Sequence, residues 1–346
     1  MKRLLFLFAL LPMLAGAQVS IKNLVMEGAG IRGLAYCGAV QELHTQGKLQ
    51  ALERVAGTSA GSIVACLLSV GYTPDEISTI VGNTDFGTFN DGEFMFVGGT
   101  ERMLNAYGWY KGDVFLGWLE SHVSRKTEDV NLTFEALHQR KMDGKPGYDL
   151  YVAATNLSQQ KATVFSHETH PTMRVVDAVR ASMSVPFWFE AVCLDAQGHV
   201  VEQGQGEVYI DGGVLTNYPL ALFDAPRYYS EVSMDAYDPD FRNPETLGLR
   251  MDSPEQVASD NAGEGLATRQ IEDIEDYVTA LYTLVLEGLN RQDLDEADWA
   301  RTISIPDTNL GPRVQSLDPS QKEGLLASGR GAVQVHYAEG AQHSGK

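Results

Sequence analysis

The run Arg54-Val55-Ala56-Gly57-Thr58-Ser59-Ala60-Gly61-Ser62 constrains this chain more than any other stretch. A short strand-like segment ends in Val55-Ala56, and an apolar, helix-forming segment follows from about residue 62 to 70. Between them sits G-x-S-x-G. A strand-to-helix turn this tight forces its central residue into a sparsely populated backbone conformation and lifts the side chain clear of the sheet. Gly57 and Gly61 leave no Cβ where strand and helix approach one another. Ser59 is therefore expected at the carboxyl end of a strand, beside the positive end of a helix. It is placed as a nucleophile. The same pattern arises by chance in glycine-rich loops, so its meaning depends on partners elsewhere in the chain.

A first partner precedes it. Residues 21–26 (I-K-N-L-V-M) read as a strand, which runs into Glu27-Gly28-Ala29-Gly30-Ile31-Arg32-Gly33 and then a helix over about 34–47. Strand, G-x-G-x-x-G, helix is also the outline of a dinucleotide site. That reading needs an acidic residue at the end of the second strand. Glu53 has the spacing but begins that strand, and Ser59 stands where the acid should be. The alternative use of the loop is an oxyanion hole: Gly28, Ala29 and Gly30 carry little bulk, so their N–H groups are free to converge on a developing negative charge. Neighbouring first and second strands would bring this loop and Ser59 to the same sheet edge. Arg32 either adds positive charge there or is a solvated helix-start residue.

A second partner lies 152 residues after Ser59, where the strand over 207–210 ends in Asp211-Gly212-Gly213. Aspartate before two glycines is commonly just a turn residue. In company with the serine turn and the glycine loop it reads as a base whose carboxylate points across a strand end.

Composition bounds the rest. Lys2-Arg3, an apolar run over 4–14 and Ala15-Gly16-Ala17 have the form of a cleavable leader, with Gln18 as the expected mature start and a secreted or periplasmic destination. The formal charge of −20 disfavours nucleic acid and anionic head groups, so any membrane or micelle contact must be apolar and transient. Cys37, Cys66 and Cys193 sit in apolar stretches and read as buried small hydrophobes, with one disulfide open as an alternative. There is no C-x-x-C, and the eight histidines lack metal-ligand spacing, so no metal or other cofactor is expected.

Further along, Thr73 and Pro74 mark a helix start. Residues 85–99 are rich in Gly and Phe without a clean period and read as a flap over the site. Trp109, Tyr110, Phe115 and Trp118 read as core or substrate contacts. A helix over 132–140, strands over 148–156 and 162–166, a helix over 174–183 and a strand over 192–194 lead to Asp211. Strands over 247–251 and 302–305, a long amphipathic helix over 268–290 and a closing helix over 319–337 complete the chain. Asn131 and Asn156 head glycosylation sequons.

Three of these features in this order resemble the patatin-like phospholipase family: Gly28-Ala29-Gly30-Ile31-Arg32-Gly33, Gly57-Thr58-Ser59-Ala60-Gly61 and Asp211-Gly212-Gly213. Ala181-Ser182-Met183-Ser184-Val185-Pro186 is also similar, and the likeness runs from about residue 21 to 222. It implies a three-layer α/β/α sandwich with a mostly parallel central sheet, occupying one domain over 18–340. It implies a Ser59–Asp211 dyad, an oxyanion loop at residues 28–30 with Arg32 beside it, and cleavage of fatty acyl esters. Ala29 departs from the family, which often has a third glycine there. A Ser-His-Asp hydrolase is the alternative. Only about forty residues separate Gln18 from Ser59, and the histidines after Asp211, His336 and His343, fall in a polar tail. A secreted binding protein on the same fold is the reading from outside enzymology.

Overall fold

The computed structural model describes residues 20–92, 97–229, 240–256, 294–308 and 314–343, residues 310 and 311, and scattered positions between 266 and 284. The expected leader, residues 93–96 of the expected flap and much of the helix expected over 268–290 lie outside the described residues.

The first half of the chain runs β1 (Asn23–Met26), α1 (Leu34–Thr45), β2 (Arg54–Thr58), α2 (Ala60–Ser69), α3 (Pro74–Asn83), α4 (Val97–Asn105), β3 (Gly108–Tyr110) and α5 (Asp113–Thr127). Next come α6 (Phe134–Met142), β4 (Asp149–Asn156), β5 (Lys161–Phe165), α7 (Val175–Ser182), β6 (Phe187–Phe189), β7 (Val192–Leu194), β8 (Glu207–Asp211) and α8 (Gly213–Thr216). After a gap follow β9 (Thr246–Asp252), α9 (Glu296–Ala300), β10 (Thr302–Pro306) and α10 (Pro319–His343).

The central sheet has the order β10-β9-β1-β2-β4-β8-β7, with β5 also paired to β4. Strands from β10 through β4 are parallel, whereas β5, β8 and β7 add antiparallel pairings. The sheet is thus mostly parallel, as expected. Such strands are covered on both faces and need apolar residues on both, and every residue of β1 and β4 is buried.

The strand alternation sorts side chains into two cores. Leu24, Met26, Val55 and Val152 join a large cluster with the main helices, while Val25, Ala56 and Tyr151 join a smaller one. Among the described residues the smaller core is closed by Tyr218, Leu220, Phe223 and Tyr228, the last three on short helical turns. On the larger face α10 crosses α1 backbone to backbone: a Cβ at Gly38 would collide with the Leu326 carbonyl, and one at Gly329 with the Ala35 carbonyl. The closing helix expected over 319–337 is thus present as α10 and runs on to His343, so the polar segment that holds His336 is packed on α1. The start of α3 matches expectation, with a Thr73–Glu76 capping box and Pro74 in the first turn. Asn156 is buried, its amide bonded to Glu207 and Tyr209, which removes it as a glycan acceptor.

Candidate active site

Ser59 is the junction of β2 and α2, with φ 49° and ψ −122°. A left-handed φ at a non-glycine residue is held against roughly 1–3 kcal/mol of strain, so something must over-determine it. Close backbone packing does part of this. A Cβ at Gly57 would strike the Gly61 and Ser62 backbone, and one at Gly61 would strike the carbonyls of Met26 and Glu27. Hydrogen bonds do the rest. The Ser59 N–H donates to Ser182 Oγ at 2.8 Å, and that hydroxyl donates onward to the Ala153 carbonyl at 2.6 Å. The Ser62 hydroxyl donates to the Ser59 carbonyl at 2.6 Å. Ser59 is 7% exposed.

Asp211 ends β8 and is 0% exposed. Its height relative to Ser59 follows from strand register. Thr58 pairs with Ala153 of β4, and Asp211 pairs with Ala154 on the other side of the same strand. Ser59 and Asp211 therefore flank β4 at one level, their backbones about two strand spacings, roughly 10 Å, apart. Asp211 Oδ1 accepts the Gly213 N–H at 2.7 Å, which is the turn role expected of it. Gly212 sits where a Cβ would press on Thr58 Cγ2 at 2.9 Å, so the turn after the aspartate touches the strand that carries the serine.

One segment braces both residues. The Ser184 carbonyl accepts the Asp211 N–H at 2.9 Å, while Ser182 holds the Ser59 amide. Arg180 clamps that segment from behind, donating to Ser184 Oγ at 2.6 Å, the Lys111 carbonyl at 2.5 Å and the Glu190 carbonyl at 3.1 Å. Burial pulls the Arg180 guanidinium down to about 10, which still leaves it charged at neutral pH.

The glycine loop continues β1 and stands beside Ser59; a Cβ on Gly28 would lie 3.3 Å from the Ser59 Cβ. Not all of its amides are equivalent. The Gly28 N–H donates to the Asn217 carbonyl at 3.0 Å, so this expected oxyanion donor is already committed. The amides of Ala29 and Gly30 carry no such bond among the described residues. Ala29 adopts φ −138°, which alanine tolerates, and the left-handed position falls on Gly30 at φ +56°. The departure from three glycines is thus accommodated by placing the awkward angle one residue on.

The Asn217 side-chain amide donates to Glu27 Oε1 at 3.2 Å and to the Gly28 carbonyl at 3.1 Å, tying the loop's root from both ends. Arg32 does not present a loose charge to the site. It is buried, its Nη1 paired with Asp307 Oδ2 at 3.0 Å and its Nε donating to the Ala29 carbonyl at 3.2 Å. It braces the loop. Gly33 lies under α2, where a Cβ would sit 2.6 Å from that of Ala60.

Loop and serine share a cavity of about 120 Å³. Gly28 to Gly33, Ser59 and Asn217 form one side, and Ile63, Val81, Phe86, Phe89, Val185 and Trp188 contribute an apolar wall. The first part of the expected flap contributes to that wall. Phe86 and Phe89 are buried, Ser316 donates to Asp85 at 2.6 Å, and Asn90 bonds Val314 and Trp188, so residues 85–90 form a fixed wall. Phe115 is core and Trp118 packs on Phe89, 5.6 Å between ring centroids, behind the cavity rather than in it.

His336 lies on α10 against Tyr337, away from the cavity, and no histidine lines that cavity among the described residues; the His343 side chain lies outside them. Glu53 precedes β2, at the opposite end of the sheet from Ser59. All three cysteines are buried and free, and burial pushes the Cys37 and Cys66 thiols up to about 12. Metal-compatible side chains do meet far from Ser59, at the start of β4: His138, Asp149 and His167 bring ligand atoms within 4.8 Å of one another. The two imidazoles stack at 4.0 Å and 7°, so their in-plane lone pairs run parallel and do not converge on one ion. Lys141 already neutralises Asp149 at 2.5 Å.

Sequence reasoning missed Asn217 altogether and saw Ser182 only as part of a familiar block. Neither has a local signature, because each acts through strand order.

The chain is 32% identical over 210 residues to an uncharacterised protein, R571, of Acanthamoeba polyphaga mimivirus, covering 60% of this chain and 63% of that one. It is 28% identical over 210 residues to a probable lipid hydrolase, 463L, of Invertebrate iridescent virus 6, covering 61% and 65%. The match thus spans less than two thirds of either relative. In fold it is similar to the crystal structure of VipD from Legionella pneumophila, with TM-score 0.61 and 16% identity over 92% of this chain and 67% of that one. A family model, the patatin-like phospholipases, matches residues 24–224, which contain Ser59, Asp211 and the glycine loop, and the chain belongs to that family.

Proposed function

We propose that the protein is a serine acyl hydrolase that cleaves fatty acyl esters of lipids through a Ser59–Asp211 dyad. The observation that carries this reading is the setting of Ser59. A left-handed serine at a helix N-terminus opens into an apolar cavity, beside a loop with uncommitted amides. The cavity suits an acyl chain, and the loop suits the carbonyl at its end.

In the proposed reaction Ser59 Oγ attacks the ester carbonyl as Asp211 takes the hydroxyl proton. The tetrahedral oxyanion is held by the Ala29 and Gly30 amides, each well-placed donor lowering the barrier by about 2.7–4 kcal/mol. Collapse expels the alcohol, which leaves with the proton from Asp211, and an acyl-serine remains. Water then attacks the acyl-serine as Asp211 again accepts a proton, the bond from the acyl carbon to Ser59 Oγ breaks, Asp211 returns the proton to that oxygen, and the fatty acid departs. The hydrophobic walls exclude bulk water, which strengthens each of these interactions.

Ser59→Ala and Asp211→Asn should each abolish hydrolysis of a long-chain nitrophenyl ester while circular dichroism stays unchanged. Wild-type rates in either variant overturn the assignment. A fluorophosphonate should label Ser59, whereas a binding protein on this fold gives no adduct. The leader reading adds export, with Gln18 as the first residue found by sequencing the exported protein.

A further inference from the structure

Beside the cavity, β3 and β6 form a two-stranded parallel ribbon in which Gly108 pairs with Phe187 and Tyr110 with Phe189. Phe187 and Phe189 are two apart and in a regular strand would share a face. Instead Phe189 is buried and Phe187 is 59% exposed. The cause is its backbone, at φ +68°, which turns the ring outward. Tyr107, next to the Gly108 partner of Phe187, repeats the anomaly at φ +65° and is 50% exposed. Bulky aromatics are poor choices for left-handed positions, where glycine or asparagine serves better. Leu104, one helical turn before Tyr107, is 74% exposed. Three large apolar side chains thus point away from the protein on adjoining segments, two of them held there against backbone preference. The left-handed angles end α4 and close the turn after Val185, roles that glycine or asparagine fills more cheaply, so the choice of exposed aromatic rings at both points to a use outside the fold.

The position of this patch indicates what covers it. Phe187 lies between Pro186 and Trp188, both of which line the cavity that Ser59 opens into, so the patch forms its rim. We propose that the Tyr107–Phe187 ribbon is the surface by which the protein sits on a zwitterionic or uncharged lipid aggregate, its rings entering the interface next to the cavity mouth. The net charge of −20 disfavours electrostatic capture by anionic lipid and points to apolar insertion as the means of adhesion. A chain withdrawn from the aggregate would pass from rim to cavity without crossing water.

This proposal rests on the lipid-hydrolase reading, and its test is chosen to be separable from it. The full chain carrying Ser59→Ala is floated with phosphatidylcholine vesicles, so binding is read without hydrolysis. The comparison protein adds Tyr107→Gly and Phe187→Gly, which remove the rings and relieve the left-handed strain, so folding is retained. The expected result is vesicle binding by the parent, weakened about tenfold or more in the glycine variant. Binding to phosphatidylglycerol vesicles should be weaker than to phosphatidylcholine in both. With Ser59 intact, the glycine variant should keep its rate on a short water-soluble ester. Undiminished vesicle binding by the glycine variant, no binding by the parent, or preference for phosphatidylglycerol overturns the proposal. So does a parallel fall in soluble-ester activity. Failure of the Ser59-intact protein to hydrolyse any ester would instead sink the hydrolase reading and leave the flotation result standing.

Discussion

The backbone amide of Ser59 donates to the hydroxyl of Ser182, 2.8 Å away and 123 positions along the chain. The same hydroxyl donates to the Ala153 carbonyl, so one oxygen fixes the strained turn and joins it to the strand that separates Ser59 from Asp211. Ser182→Ala strands a buried N–H and a buried carbonyl, at about 1–3 kcal/mol. Because the strand level of Ser59 depends on this bond, kcat should fall about tenfold or more while KM changes little. The check is a kcat-against-KM comparison together with the rate of fluorophosphonate labelling, which should fall in step with kcat.

Asn217 should matter in a different way. Its side chain ties Glu27 to the Gly28 carbonyl, and its own carbonyl takes the Gly28 amide. Asn217→Ala keeps the backbone bond but frees the loop's root. Expected is a loss of kcat by about tenfold, as donors drift from the oxyanion, with the melting temperature lowered by only a few degrees. Steady-state kinetics and a thermal melt separate the two effects.

Chain-length preference should be adjustable from α2. Ile63 lines the cavity one helical turn beyond Ser59. Ile63→Trp fills part of the cavity, and a hydrophobic pocket discriminates by about 1–3 kcal/mol per methylene. The ratio of kcat/KM for decanoate over butyrate esters should fall at least tenfold, with butyrate turnover retained. A panel of nitrophenyl esters measures it.

Stability should decline on mild acidification. Burial lowers the pKa values of His122, His167 and His170, so the folded protein resists taking up protons there. The unfolded chain accepts them near its ordinary value of about 6.5. Protons are then bound more by the unfolded state, and stability present above that pH is lost as pH falls below it. Thermal melts from about pH 7.5 to 5.5 should show a falling midpoint, and His170→Gln should shallow the slope. An unchanged slope in that variant removes His170 from the account.

The parts legible in the sequence were those with local causes. The turn at Ser59 was readable because Gly57 and Gly61 are needed for backbone contact within a few residues. Asp211 was readable because Gly212 and Gly213 announce its turn. What could not be read was how distant pieces meet. The commitment of the Gly28 amide depends on where residue 217 falls after β8 joins the sheet. That Phe86 and Phe89 wall the cavity could not be read because a glycine- and phenylalanine-rich stretch has no period, and it is the contact of Phe89 with Trp118 and the bond from Asn90 to the Val314 carbonyl that place it. The bracing role of Arg32 needed Asp307, 275 positions away.

The region shared with the family ends at residue 224, yet β1 is flanked by β2 on one side and by β9 on the other. The Glu27 amide donates to Leu249, and the Met251 amide donates to the Glu27 carboxylate, so the root of the glycine loop is fastened by chain made later. A polypeptide stopped at the family boundary would hold both Ser59 and Asp211 and still leave β1 with a bare row of donors and acceptors, a template for self-association. During synthesis this edge stays open until β9 emerges from the ribosome. The segment beyond residue 224 thus closes an aggregation hazard in the same step that fastens the root of the glycine loop.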